Sequence, residues 1–219
     1  MSIIGRDYYV RYLDEQEIAA KALQWRRAGG GYLSAYFNIV SFVRTVLCEK
    51  LPEKLHIKFF SRRGRGRPAY VTYGPLTLHI DQEIWRLAEI GEPIARYIVA
   101  HEIGHIVLHD HRAQAFSNDP SVKVNFAQNE QSAEWQANTF AAHFLLPTEI
   151  VVAFDCFDRL LGCGAPPELT KTRLIAARSS RLCSTQYNGE PCLECGNFTV
   201  ICDGTCTKCD GCGSKTGCS

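Results

Sequence analysis

The sequence lacks the features of a secreted or membrane-spanning protein. Its first residues contain no signal-peptide core, and no apolar run among the 219 residues approaches the roughly 18 that a transmembrane helix needs. It also lacks a charge bias, because the formal net charge is +1, so the chain as a whole shows no electrostatic sign of nucleic-acid or anionic-membrane binding. These absences predict a cytoplasmic globular protein.

Cysteine, in contrast, is abundant and unevenly distributed. Seven of the eleven cysteines lie in the last 28 residues. In a chain without a secretion signal, cysteines grouped as C-x-x-C favour metal binding over disulfide formation. This change in composition predicts two domains, a larger one at residues 1–182 and a small one at residues 187–219.

Residues 101–105 form an H-E-x-x-H motif. Two helical residues four apart lie on one face, about 6 Å apart along the axis, so His101 and His105 can share one zinc ion. Glu102 lies beside them, where it can accept a proton from a zinc-bound water. The alternative is an ordinary amphipathic helix, but residues 93–108 are strongly apolar, and a buried His or Glu needs a partner. The motif predicts a zinc hydrolase with Glu102 as general base.

Two further predictions concern the surroundings of this motif: what packs against it, and which residue provides the third zinc ligand. Gly104 is unfavourable in a helix by about 1 kcal/mol relative to alanine, which suggests that another element packs closely there. A catalytic zinc needs a third protein ligand. His109 lies too far along a straight helix to reach the same ion, whereas Glu134 lies on a later helix rich in alanine, with Glu130 as the second candidate.

The remaining pattern predicts an α+β fold, mostly helical. Helices are expected at residues 14–27, 33–50, 81–87, 93–108, 129–146, 148–161 and 166–180, and three strands at 55–60, 69–73 and 76–80 form a small antiparallel sheet. The loop between the first two strands carries four arginines, Arg62, Arg63, Arg65 and Arg67. Its Arg-Gly-Arg-Pro sequence resembles a minor-groove AT hook, but a solvated hairpin tip is the preferred interpretation.

The two candidate active-site helices resemble the ImmA/IrrE-type zinc metallopeptidases. The resemblance spans roughly residues 10–180 and is most specific at two stretches, His-Glu-Ile-Gly-His-Ile-Val-Leu-His from position 101 and Glu-Trp-Gln-Ala-Asn-Thr-Phe-Ala-Ala-His-Phe-Leu-Leu-Pro from position 134. It implies a regulatory endopeptidase, often directed at a helix-turn-helix repressor, with His101, His105 and Glu134 as ligands. Gln136 and Leu146 depart from the family pattern, which has glutamate and methionine there. The oxyanion-stabilising residue stays open among Tyr97, His109, His111 and His143.

Two C-x-x-C-G sequences near the C-terminus predict a second zinc site. Four thiolates from Cys192, Cys195, Cys209 and Cys212 can bind one zinc ion tetrahedrally, as in a zinc ribbon. Cys206 offers a competing C-x-x-C register, but only the preferred register has glycine after the second cysteine of each pair. The tail resembles that of cobalamin-dependent ribonucleotide reductases. Cys202, Cys206 and Cys218 are unassigned.

The sequence therefore predicts a zinc-dependent regulatory endopeptidase with one catalytic and one structural zinc ion and a protein substrate, for which a repressor is the candidate. The alternative is a non-catalytic, DNA-associated regulator in which zinc is only structural. A third hypothesis is a redox or metal sensor that uses the unassigned cysteines. The presence of Glu102 favours the enzyme, because a purely structural zinc site does not require it.

Overall fold

The computed structural model describes residues 7–32, 34–62, 64, 66–109, 129–184, 191–196, 200–203, 206–209 and 211–216. Of residues 181–184, 201–203, 206, 207 and 216 it describes only the backbone. The chain divides into two compact units, Met1–Leu174 and Ile175–Ser219. The domain limits at residues 182 and 187 stay predictions from composition.

The first unit begins with two helices. Helix α1, Glu15–Ala28, starts at a capping box in which the Asp14 carboxylate accepts from the Glu17 amide at 2.8 Å. Helix α2 runs through Ile39–Phe42, a π-helical stretch Val43–Leu47 and a last turn Cys48–Lys50. It begins later than predicted, because Asn38 caps it by accepting from the Ser41 amide at 3.0 Å.

Three strands, β1 (His56–Phe60), β2 (Ala69–Thr72) and β3 (Thr77–Asp81), form one sheet in the order β1-β3-β2. The prediction of a purely antiparallel sheet was wrong, since β1 and β3 are parallel while β2 and β3 are antiparallel. The physical reason is burial. Four of the five β3 residues are buried, so this strand takes the centre and pairs with a neighbour on each side, whereas β1 is largely exposed.

Helices α3 (Gln82–Glu89) and α4 (Pro93–Leu108) follow the sheet, and after a short 3-10 helix, Asn129–Gln131, comes α5 (Ala133–Leu145). Asp81 caps α3 as predicted, accepting from two amides of its first turn. Helix α4 packs against α5, α3 and β2, and α5 also packs against α1. Helix α4 is therefore at the centre of this unit, with ten of its sixteen residues buried.

Three further helices complete the helical part, α6 (Thr148–Phe154), α7 (Phe157–Leu161) and α8 (Pro167–Ser184). A single helix over 148–161 was predicted, but the chain breaks at Asp155, which adopts the left-handed conformation with φ of 41°. The α+β fold class is confirmed. Among the described helices none alone has the length and apolarity of a membrane span, and α5 and α6 reach them only as a pair bent by 46°.

Two buried arginines hold the loops of the core. The guanidinium of Arg26 donates to the carbonyls of Phe144 and Ser34 at 2.6 and 2.5 Å. That of Arg96 donates to the carbonyl of Gly164 at 2.8 Å and lies over the ring of Tyr36. Burial lowers the pKa of Arg26 to about 10. This value is still well above 7, so the side chain remains charged at neutral pH.

The second unit contains a small antiparallel sheet. Strands β4 (Val200–Asp203), β5 (Cys206–Cys209) and β6 (Lys215–Thr216) lie in sequence order. Of the predicted ribbon strand at residues 197–201, only 200 and 201 are described, and both lie in β4. The buried side chains of this unit include Cys192, Val200 and Cys209. Two of these three are cysteines that the sequence predicts as zinc ligands, so candidate ligands form part of the buried core of this unit.

Candidate metal centres

Helix α4 presents the H-E-x-x-H residues from the middle of the first unit. It starts at Glu92, whose carboxylate accepts from the amides of Ile94 and Ala95 at 3.1 and 2.6 Å, with Pro93 in the first turn. It ends at Leu108. His109 already has extended backbone angles, so it lies beyond the helix rather than one turn further along it.

Helix α5 brings Glu134 to the same place. Ser132 caps α5 by accepting from the Trp135 amide at 2.9 Å, which puts Glu134 in the first turn. The two helices meet at Gly104, where a Cβ atom would lie only 3.0 Å from the Cα of Ala137 and 3.1 Å from its carbonyl oxygen. The expectation that an element packs closely at Gly104 is therefore correct, and that element is the ligand-bearing helix.

The side chains of His101, His105 and Glu134 converge on one point. The Nε2 atoms of the two histidines are 3.0 Å apart, and the Glu134 oxygens lie 3.3 Å from Nε2 of His101 and 3.6 Å from Nε2 of His105. Ligands about 2.0–2.1 Å from a tetrahedral zinc ion are about 3.3 Å from one another. The three side chains thus have the spacing of zinc ligands, and no other described His, Cys, Asp or Glu joins this group.

Opposite electrostatic effects act on the acid and the histidine of this site. Burial would raise the pKa of Glu134, but its hydrogen bonds to His101 and His105 hold that pKa far below its usual range. Burial would also lower the pKa of His101, yet the contact with Glu134 and the charge of Glu102 raise it. A positive charge is therefore stabilised between the three side chains, as a bound cation requires.

Asn138 contacts the ring nitrogen of His101 that does not face the ligand group. The Nδ1 atom of His101 lies 2.9 Å from Oδ1 of Asn138, which also accepts from the hydroxyl of Tyr97 at 2.8 Å. A donor at Nδ1 leaves Nε2 with a free lone pair directed at the convergence point. The sequence reasoning gave Asn138 no role, although the family pattern contains this asparagine. Tyr97 is held by Asn138 rather than by the ligands.

His109 contacts His105 in the way that Asn138 contacts His101, at the ring nitrogen that does not face the ligand group. The Nδ1 atoms of His105 and His109 are 3.1 Å apart, and Nε2 of His109 lies 3.0 Å from Oε1 of Gln136. Burial lowers the pKa of His109 to about 3, so its ring is neutral. His109 thus contacts the outer nitrogen of His105 and is not grouped with the ligand atoms.

Glu102 is buried directly beside the two histidines. Only 4% of its surface is exposed, and among the described residues its Oε2 has no hydrogen-bond partner. Burial raises the pKa of this carboxyl group, against the opposing charges of His105, His101 and Arg67. A carboxylate without a partner in such a place costs free energy unless a substrate or water uses it, which fits a general base.

The other candidates are located differently. Glu130 lies in the 3-10 helix and contributes its carbonyl oxygen to Gln136 at 2.6 Å. His143 contacts Glu15 and Arg173, away from the ligand group. His111 lies outside the described residues. A contact missing from the sequence reasoning is that of Tyr73, whose hydroxyl donates to the carbonyl of His105 at 2.9 Å, because only folding brings the end of β2 to α4.

The arginine loop is described only in part. The amide of Arg62 donates to Asp81 at 2.6 Å, and its guanidinium to the carbonyl of Gly66 at 3.3 Å. Arg67 is exposed, and Arg63 and Arg65 lie outside the described residues. The expectation of a hairpin tip was wrong, because β1 and β2 lie on opposite sides of β3 and do not pair with each other, so this loop connects the two edges of the sheet.

The second unit brings four cysteines together, Cys192, Cys195, Cys209 and Cys212. The sulfur of Cys192 is 3.7 Å from that of Cys212, and the sulfur of Cys195 is 3.6 Å from that of Cys209. Thiolates about 2.3 Å from a tetrahedral zinc ion are about 3.8 Å apart. The described cysteines form no disulfide. These distances fit a four-thiolate zinc site.

The two cysteine pairs have the same turn geometry. Gly196 and Gly213 have φ angles of 72° and 78°, and their amides donate to the carbonyls of Cys192 and Cys209, both at 2.8 Å. A left-handed residue there favours glycine, which explains the repeated C-x-x-C-G sequence. The preferred register is thus the one assembled, while the side chains of Cys202 and Cys206, and all of Cys218, lie outside the described residues.

Comparisons with known proteins agree with this geometry. Residues 92–155, which contain α4 and α5, match the family model of the IrrE N-terminal-like domain, a peptidase family. The chain is also 49% identical over 78 residues to a vitamin B12-dependent ribonucleotide reductase of Bradyrhizobium diazoefficiens, and 50% identical over 42 residues to one of Agrobacterium fabrum. These matches cover 36% and 19% of the chain but only 6% and 3% of the relatives, so they carry no reductase activity to it. No solved structure matches the chain significantly.

Proposed function

Because residues 92–155 carry a domain of the ImmA/IrrE metallopeptidase family, we propose that this chain is a cytoplasmic zinc-dependent endopeptidase that cleaves a protein regulator. One observation carries the proposal: His101, His105 and Glu134 converge at zinc-ligand spacing beside a buried carboxyl oxygen of Glu102 that no residue in the described part of the chain contacts by a hydrogen bond. A zinc site with only a structural role is usually closed by four protein ligands. Three protein ligands with a general base beside them are the arrangement expected of a zinc hydrolase.

Each residue of the site has a separate role in the proposed peptide hydrolysis. Zinc bound by the three ligands would supply a Lewis acid and lower the pKa of a bound water. Glu102 accepts a proton at its free oxygen and later returns it to the leaving amine. Its raised pKa brings the carboxyl group closer to the pKa that suits proton transfer in both directions. Asn138 and His109 fix the orientation of the ligand histidines by contacts at Nδ1 of His101 and of His105.

The proposed substrate class rests on the family resemblance rather than on a pocket. Members of this family act on regulators, often helix-turn-helix repressors, and a repressor is the expected target here. The four-cysteine unit is proposed to contribute to recognition of a protein partner, since its sequence from 187 to 219 has a net charge of −2 and is poorly suited to DNA.

The experiment is cleavage of a candidate regulator. The zinc-loaded chain is incubated with helix-turn-helix proteins encoded beside its gene, and the products are identified by mass spectrometry, with a Glu102→Gln variant as control. We expect a specific cut that depends on zinc and on Glu102. Intact regulators together with tight, salt-sensitive DNA binding through Arg62, Arg63, Arg65 and Arg67 would instead support the DNA-associated regulator.

A further inference from the structure

We propose that Gln136 and His109 act as positioning residues that fix the proton of His105 on Nδ1, so that its Nε2 lone pair always faces the metal. The inference rests on the proposed zinc site and assigns a role to two residues that are not ligands. It follows from a chain of contacts in which every hydrogen position is determined by the one before it.

The chain begins at Gln136, whose amide can point only one way. Its Nε2 lies 2.7 Å from the carbonyl oxygen of Arg11 and 2.6 Å from that of Glu130. Carbonyls only accept, so the NH2 group must face them and both of its hydrogens are used. Gln136 is fully buried, so no water competes for these positions. Its Oε1 is therefore the atom presented to His109.

The next two proton positions follow from this orientation. Oε1 of Gln136 only accepts, so Nε2 of His109 at 3.0 Å must carry a hydrogen. In a neutral ring this makes Nδ1 of His109 an acceptor. The facing Nδ1 of His105, 3.1 Å away, must then be the donor. His105 is left with an unprotonated Nε2, which is the atom that lies among the ligand atoms.

The same contacts explain why glutamine occupies a position where the family pattern has glutamate. A carboxylate at position 136 would place an oxygen 2.6–2.7 Å from two backbone carbonyl oxygens, where nothing can donate between them. Here the amide both ties the segments around Arg11 and Glu130 to α5 and sets the direction of the hydrogen bonds. The departure from the family pattern therefore alters the support of His105 but leaves the three ligands intact.

The first test reads the protons directly. Nitrogen-15 NMR of the imidazole rings in the zinc-loaded full chain distinguishes the two neutral tautomers. We expect hydrogen on Nε2 and a bare Nδ1 for His109, and hydrogen on Nδ1 for His105. Hydrogen on Nδ1 of His109, or metal ligation of His105 through Nδ1, would overturn the proposal whether or not a substrate is ever found.

The second test compares two variants of His109. His109→Leu removes the acceptor, whereas His109→Asn keeps an oxygen near the position of Nδ1. Affinity is measured by chelator competition with cobalt(II), in which sulfur-to-metal charge transfer identifies the four-cysteine site separately. Loss of an outer-shell partner typically costs 10–100-fold in metal affinity. We therefore expect a loss of that order for His109→Leu and a loss of less than about threefold for His109→Asn.

These outcomes separate positioning from simple packing and from the proposed function. A merely structural role would give similar losses in both variants, each in proportion to its loss of thermal stability, and would refute the proposal. Unchanged affinity in a folded His109→Leu variant would refute it as well. If that variant does not fold, the tautomer measurement on the wild type still decides. A chain that positions His105 as described but cleaves nothing would count against the peptidase assignment alone.

Discussion

At the scale of single residues, two glutamates of one site have opposite properties because their surroundings differ. Glu134 faces the Nε2 atoms of both histidines, and these contacts lower its pKa, so it is anionic and suited to hold a cation. Burial raises the pKa of Glu102, whose Oε2 has no hydrogen-bond partner in the ranges that the structure describes, so it is suited to exchange a proton. The proposed ligand and the proposed base are thus distinguished by their environments, not by residue type.

The role of Glu102 gives the first prediction. Replacing it by glutamine keeps the volume of a buried side chain but removes the proton acceptor. We expect Glu102→Gln to retain both zinc ions and its melting temperature, while cleavage of a regulator falls by about 10²–10⁴-fold, the contribution typical of general base catalysis. Metal content by mass spectrometry and single-turnover cleavage check this. Wild-type cleavage by the variant would rule out Glu102 as the base.

The role of Glu134 gives the second prediction, and Glu130 offers a matched control one turn earlier. Glu134→Gln removes the negative charge from the ligand group, so we expect at least about a tenfold loss of zinc affinity at this site. Glu130→Gln should bind zinc normally, because its side chain does not belong to the group. Equal affinities in the two variants would contradict Glu134 as the third ligand.

At the scale of elements, the sequence predicted best what is encoded locally. The α4 and α5 helices were expected from their apolar and alanine-rich sequences, and Gly104 indicated that another element packs closely against α4. The parallel pairing of β1 with β3 could not be predicted, because it depends on which strand the rest of the fold buries. Likewise Tyr73 reaches His105 only through the packing of the sheet against α4, a contact across 32 positions.

The third prediction concerns the contact between these two helices. In Gly104→Ala the new Cβ would lie 3.0 Å from the backbone of Ala137, so the helices must separate. Overpacking costs about 1–3 kcal/mol, and alanine recovers up to about 1 kcal/mol of helix propensity. We expect a net loss of up to about 2 kcal/mol in the free energy of unfolding, together with weaker zinc binding, since Glu134 moves with α5.

Gly66→Ala is the control for this measurement. A Cβ at Gly66 would have its nearest neighbour, the flexible Arg62 side chain, at 3.6 Å, an ordinary van der Waals distance. Denaturant unfolding should give the same free energy for Gly66→Ala as for the wild type within about 0.5 kcal/mol. If Gly104→Ala is equally neutral and binds zinc normally, the close helix contact is not required for the site.

At the scale of the whole molecule, the chain contains two candidate metal sites of different chemistry. The first uses two imidazoles and a carboxylate within a large apolar core, so its helices pack through Gly104, Phe140 and other contacts that need no metal. The second uses four thiolates in a unit whose buried residues include two of those same cysteines. We expect a unit this small, whose candidate ligands form part of its buried core, to depend on a bound metal for folding.

The fourth prediction follows from this difference. Removing zinc with a strong chelator should unfold the four-cysteine unit first, seen by NMR as the loss of β4–β6 signals, while the helical signal in circular dichroism persists. Deleting residues 187–219 should likewise leave the first unit folded and able to bind its zinc, but slow the cleavage of the native regulator.

Cooperative loss of all structure on chelation would show that the core of the first unit is not sufficient without metal. Tight, salt-sensitive DNA binding by the full chain that disappears with residues 187–219 would contradict protein recognition, since two lysines against four carboxylates give that segment a net charge of −2 before the thiolates are counted.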